Sequence, residues 1–192
     1  MALISAKTIL TSLSLFHITL GFFFLTSPAT IADQTLVYVI GEAMGMPYAR
    51  SFDARSPALG FLGVVLAILG LSDLVTLSLP EEISLVHYWG MQAPLRSTIA
   101  FCLVFYTYLF SASSPFYADT SRGRFSRPSA HAQNPGYSPS GWGGDALKNR
   151  VFFTFAFVEM ISWFWVWVTL REERREMLAR KAARRRSHSF AN

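Results

Sequence analysis

Twenty consecutive residues, Val151 to Leu170, hold one ionisable group, Glu159, and run without a turn signal into the charged stretch from Arg171 to Arg186. A helix needs ~20 mostly apolar residues to cross a hydrocarbon core about 30 Å thick, so this segment reads as a membrane span. Trp163, Trp165 and Trp167 crowd its exit end, where amphipathic rings favour the headgroup level. The flank from Arg171 to Arg186 carries eight Lys or Arg against three Glu, which is the whole net charge of +5. A basic run beside a span is an orientation and anionic-lipid signal. No groove-reading or base-stacking motif accompanies it, so nucleic acid is not an expected partner.

The rest of the chain repeats the pattern. Of its 192 residues 52% are hydrophobic and 15% charged, against ~25% charged in ordinary soluble domains. Three more stretches qualify as spans by length and purity: Ile9–Leu25, Leu59–Leu79 and Ala93–Ala112. The expected fold is therefore all-α, a single bundle of four transmembrane helices without a separate soluble domain. A cleavable signal peptide competes for the first segment, because Lys7 precedes the apolar core and small residues follow it. That core is about seventeen residues long, beyond the usual ~7–15, so an uncleaved anchor is the expectation. Cys102 is the lone cysteine; it reads as a small buried hydrophobe, with neither disulfide nor cysteine-based metal site.

The connections differ in kind. Residues 32–46 have apolar groups at helical spacing but fall short of a span, which predicts a short interfacial or re-entrant helix stopped at Pro47. Pro80-Glu81-Glu82 is a helix-start signal predicting one turn on the membrane. The short link also predicts that spans two and three pack side by side. Residues 115–146 are rich in Ser, Gly and Pro without apolar periodicity, and disorder is expected there. With four spans, one side collects ten basic residues and the other seven, which predicts both termini in the cytosol. Glu176 and Arg180 are spaced i, i+4, and Ala179, Ala182 and Ala183 are strong helix formers, so the last span should continue as a basic helical tail. Arg180, Lys181, Arg184, Arg185 and Arg186 are its candidate contacts to anionic headgroups or to a membrane-protein partner.

Polar groups inside the spans are the candidate site, because an acid at a helix centre costs ~2.5–3.5 kcal/mol and should face the bundle or water. Asp73 and Arg96 fall near the same boundary of adjoining segments and form a candidate pair. Glu159 and His17 lie near the middle of spans four and one and can meet if those helices are neighbours, with Tyr106 and Tyr108 as further partners. These groups read either as helix-holding contacts or as a proton or cation path. Gly21, Gly60, Gly63 and Gly70 read as close-packing points. There is no phosphate loop, nucleophile elbow or histidine metal spacing, so neither catalytic residues nor a metal or cofactor is expected.

Several fixed points are similar to those of a known family. Ser56-Pro57 through Gly60 to Asp73-Leu74, Gly41-Glu42-Ala43-Met44 ahead of Pro47, and Phe157-Val158-Glu159 with the exit Arg171-Glu172-Glu173 resemble the fungal increased-loss-of-mitochondrial-DNA family. The resemblance implies a four-span protein of the endoplasmic reticulum membrane whose loss impairs the mitochondrial genome indirectly. It implies no catalytic residue and no cofactor. A non-enzymatic adaptor or assembly factor is the first expectation; an ion or proton pathway through Asp73 and Glu159 is the alternative.

Overall fold

The computed structural model describes residues 4–80, 82–110 and 143–191. Four long helices carry the fold: α1 (Ala6–Thr26), α4 (Pro57–Thr76), α5 (Trp89–Leu109) and α6 (Arg150–Ala191). Two short helices, α2 (Pro28–Ala32) and α3 (Thr35–Ala43), lie between the first two. No strand occurs among the described residues. Local chemistry sets the helix starts. Ser5 and Ser56 accept from the amides of Thr8 and Leu59, and Asn149 accepts from Phe152; each meets one of the donors that a helix start leaves open. Pro57 adds a pre-set φ in the first turn of α4.

α1, α4 and α6 are long and apolar enough to cross a membrane. α5 is long enough at 21 residues, and its boundaries lie earlier than the predicted 93–112. It lies antiparallel to α6: Trp89 at its start stacks on Trp163, while Phe110 just past its end lies near Lys148, just ahead of α6. The link before it is more than the one turn expected. Glu82–Tyr88 forms a π-helical segment that runs straight into α5, and Ser84 ties it to the end of α4 through the carbonyl of Thr76.

The short helix expected within residues 32–46 is α3, which ends before Pro47, and α2 stands just ahead of it. Gly45 adopts φ 63°, its amide donates to Glu42 and that of Met46 donates to Gly41, a closure that satisfies the last carbonyls and ends the helix. Spans two and three do not pack side by side. The most extensively packed pairs are α1 with α4 and α5 with α6. The segment 115–146 lies outside the described residues up to 142, and Gly143–Leu147 is a 3-10 turn. The last span does continue as helix past Leu170, through the whole basic stretch.

Backbone contact explains the first pair. A Cβ on Gly21 would stand 2.6 Å from the carbonyl oxygen of Gly63, one on Gly63 2.7 Å from that of Gly21, and one on Gly70 2.6 Å from that of Ser14. These are distances at which something must move, so the glycines set the helix separation. Gly60 differs, with ordinary contact to Leu25. Two apolar clusters close the bundle. One gathers Leu10, Leu13, Trp89, Trp163 and Val166 near the start of α1, and the other gathers Phe24, Ile31, Val37, Leu59 and Val151 near α2 and α3.

Candidate functional site

Between these two clusters the four long helices bring ionisable groups together. Arg96 donates through both terminal nitrogens to Asp73, at 2.7 and 3.0 Å. The two-point geometry matches a planar guanidinium to a carboxylate, and such forks are among the stronger charge-assisted bonds. The guanidinium also lies 5.4 Å from the ring centre of Trp89 and 4.7 Å from that of Trp163. The two indoles stack at 5.7 Å, so Arg96 has an aromatic flank wherever it lacks a carboxylate. Asp73 is only 2% exposed.

The second half of the site begins on the same indole. Trp163 Nε1 donates to Glu159 Oε2 at 2.7 Å, and His17 Nε2 stands 2.8 Å from Glu159 Oε1. With the carboxylate ionised, Nε2 is the protonated nitrogen of that contact. His17 Nδ1 is buried and has no partner among the described residues. The chain of contacts therefore reads Asp73, Arg96, Trp163, Glu159, His17, and it crosses all four long helices. Two of its links also join the two packed pairs: the ion pair of Asp73 on α4 with Arg96 on α5, and the hydrogen bond between His17 on α1 and Glu159 on α6.

A cleft of about 260 Å³ lies where α4 and α5 fail to close. Leu66 and Leu69 form one wall, Ile99 and Leu103 the other, and Arg96, Glu159 and His17 reach it from within. Among the described residues no three histidine, cysteine or acidic side chains converge as metal ligands.

The structure thus joins all four intramembrane residues picked out in the sequence. Tyr106 lies against Phe110 and Lys148 toward the far end of α5, and Trp163 holds the second Glu159 oxygen. That corrects the reading of Trp163 as a headgroup-level ring. It is 2% exposed, whereas Trp165 is 50% exposed. Of the tail cations, Arg180 pairs with Glu176 at 3.6 Å on an exposed face; the side chains of Lys181, Arg184, Arg185 and Arg186 lie outside the described ones.

Two further polar contacts went unpredicted. Glu173 accepts from the buried amide of Ala6 at 2.8 Å, which fixes the tail side of α6 to the start of α1, where a helix end favours negative charge. Arg150 donates to the carbonyl of Met46 at 2.8 Å and to Glu42, with its stem lying over Gly41, where a Cβ would collide with it. Both contacts join positions over 100 residues apart. The only sequence signal was the presence of Gly41-Glu42 and Arg171-Glu172-Glu173 among the points of family resemblance.

Long apolar helices clipped together by inward-facing polar contacts define the class, a helical membrane protein. The family model described as increased loss of mitochondrial DNA protein 1 (Ilm1) matches residues 4–180, and the chain belongs to that family. Its name ties it to maintenance of mitochondrial DNA. No curated protein and no solved structure matches the chain.

Proposed function

We propose that this chain is a non-enzymatic adaptor or assembly factor of the endoplasmic reticulum membrane that supports mitochondrial DNA indirectly, through lipid supply or a membrane contact. In this reading α5 is the fourth span and both termini face the cytosol. The hydrogen bond from Ala6 to Glu173 supports an even number of crossings, since it holds the entry of the first span beside the exit of the last. The density of Lys and Arg after Leu170 supports the cytosolic side.

One observation carries the adaptor reading: every carboxylate and guanidinium within the spans is spent on another helix, which leaves the basic stretch after Leu170 as the candidate for recognising something else. The tail recognises anionic headgroups or an acidic membrane partner. Its test is mitochondrial DNA retention in cells that depend on this protein. Reversing Arg180, Lys181, Arg184, Arg185 and Arg186 to Glu abolishes rescue, whereas Glu159→Gln rescues nearly as well as wild type. The opposite pattern overturns the reading.

The cleft lined by Arg96, Glu159 and His17 favours one alternative, an ion or proton pathway using Asp73 and Glu159. Purified protein in liposomes decides it. Flux that Glu159→Gln and Asp73→Asn remove would put the pathway in place of the adaptor, and its absence would discard the pathway.

A further inference from the structure

The charge that follows the last span is not spread evenly. Arg171, Glu172, Glu173, Arg174, Arg175 and Glu176 cancel, three against three, so the turns beside the membrane are neutral. The whole net charge of +5 falls on Arg180, Lys181, Arg184, Arg185 and Arg186, with no acidic residue beyond Glu176. The backbone that carries both stretches is one unbroken helix, α6, from Arg150 to Ala191. It holds no proline and no glycine, two frequent causes of a sharp kink, so the basic run continues along the axis of the span. Its exit is fixed in place. Leu170 is buried, Arg171 lies over the Trp167 ring at 5.6 Å, and Glu173 accepts from the amide of Ala6.

Length then decides which surface that charge meets. At ~1.5 Å per residue, Arg180 stands roughly 15 Å beyond Leu170 and Arg186 roughly 24 Å. The headgroup layer adds only about 5–8 Å to each side of the hydrocarbon core, and at physiological ionic strength charge is screened over about 8 Å. A span's usual tilt of ~20° shortens the reach by roughly 1–2 Å. Most of the run is therefore held clear of the membrane that anchors it. Lying flat as an amphipathic helix is not open to it: Met177, Leu178 and Phe190 are the large apolar residues from 171 to 191, too thin a face for in-plane burial. Between Arg180 and Arg186 only Ala182 and Ala183 interrupt the cations. That run offers no aromatic or large aliphatic anchor of the kind around which protein interfaces are built, and an anionic lipid surface needs none.

We propose that the basic run of α6 docks on the anionic headgroups of a second, apposed bilayer, with the neutral residues 171–176 as the spacer that keeps it off its own. The proposal rests on the adaptor reading above and names the partner of its tail.

The test uses the full-length protein in nanodiscs of phosphatidylcholine and phosphatidylserine, with Cys102→Ala and a dye on Ala183→Cys. A nitroxide-headgroup lipid in the nanodisc leaves that dye bright, but quenches a dye on Arg174→Cys, four residues past Leu170. Separate vesicles of phosphatidylcholine and phosphatidylserine that carry the nitroxide capture the nanodiscs on flotation and quench the Ala183 dye. Vesicles of phosphatidylcholine alone do neither, and salt at ~0.5 M reverses the capture. Arg185→Gln weakens capture roughly fivefold, the effect of one basic residue at a lipid surface, with an unchanged melting temperature. Quenching of the Ala183 dye by the nanodisc's own lipid overturns the proposal and leaves the adaptor reading intact, with the tail serving its own membrane. Failure to capture anionic vesicles, or equal capture by neutral ones, also overturns it. The adaptor reading falls separately, if charge reversal of the same five residues leaves rescue in cells undiminished.

Discussion

The seam between α1 and α4 and the seam between the two helix pairs are held by opposite means. Along the first, nothing is present to be removed: Gly21, Gly63 and Gly70 bring backbone to within the reach of a single methyl group. Along the second, four polar side chains span the gap, and an open cleft remains beside them. Lipid tails are as apolar as leucine, so burial alone does not draw membrane helices together. Contact at short range is one solution, and a paired charge with no better partner in hydrocarbon is the other. The first seam is vulnerable to addition and the second to deletion.

The sharpest way to break that contrast is to remove one member of an ion pair. Arg96→Met strands Asp73, 2% exposed, and is expected to lower unfolding free energy by about 3–5 kcal/mol. Adding Asp73→Asn recovers most of it, because no charge then remains unpaired. Thermal melting of the singles and the double in detergent reads the coupling, and a double as damaged as the single shows that the seam is not ionic. On the glycine seam, Gly63→Val is expected to cost about 1–3 kcal/mol by overpacking. Gly60→Val, facing only Leu25 at 3.9 Å, should change stability by no more than ~0.5 kcal/mol. Equal losses at the two positions would mean that the close approach does not set the helix separation.

Glu159→Gln sharpens the comparison from within the second seam. The amide oxygen can accept from Trp163 and the amide nitrogen can donate to Nε2 of His17, whose proton moves to the unpartnered Nδ1. The expected loss is about 1 kcal/mol, visible in the same melts. The smallest effect lies at the solvated edge, where Tyr48 donates a hydrogen bond to Asp53. That bond, with smaller contributions from desolvation and the charges of Asp53 and Asp33, holds the phenol above its ordinary value. A raised value favours the folded state below the unfolded phenol's own range, and this contribution is lost as pH rises through the folded value. Absorbance titration should therefore show one late-ionising tyrosine that Tyr48→Phe removes.

Much of this architecture was legible in the chain. Val151–Leu170 announced a helix by its purity, and Glu159 and His17 stood out because a lone polar group in an apolar run must find a partner. Asp73 and Arg96 paired for the same reason, although the argument that brought them together, side-by-side packing of their helices, does not hold. A long guanidinium reaches across a gap that the helix backbones leave open. Trp163 misled because position in a span says nothing about direction. It points inward to Glu159 and Arg96, while Trp165 two residues on points outward. The clamp of Arg150 on Glu42 was invisible, since neither residue lies within an apolar run.

Hydropathy and length alone determined that this chain builds long helices and which polar side chains must be buried. Those are one-dimensional consequences: backbone groups in hydrocarbon must bond within the segment, and a charge there must be paired. Which helices pair, and which faces meet, was decided only in three dimensions. Helix neighbours are chosen by steric fit between surfaces far apart in sequence. There the missing Cβ of Gly63 against Gly21 counts for more than any property of the segment that carries it.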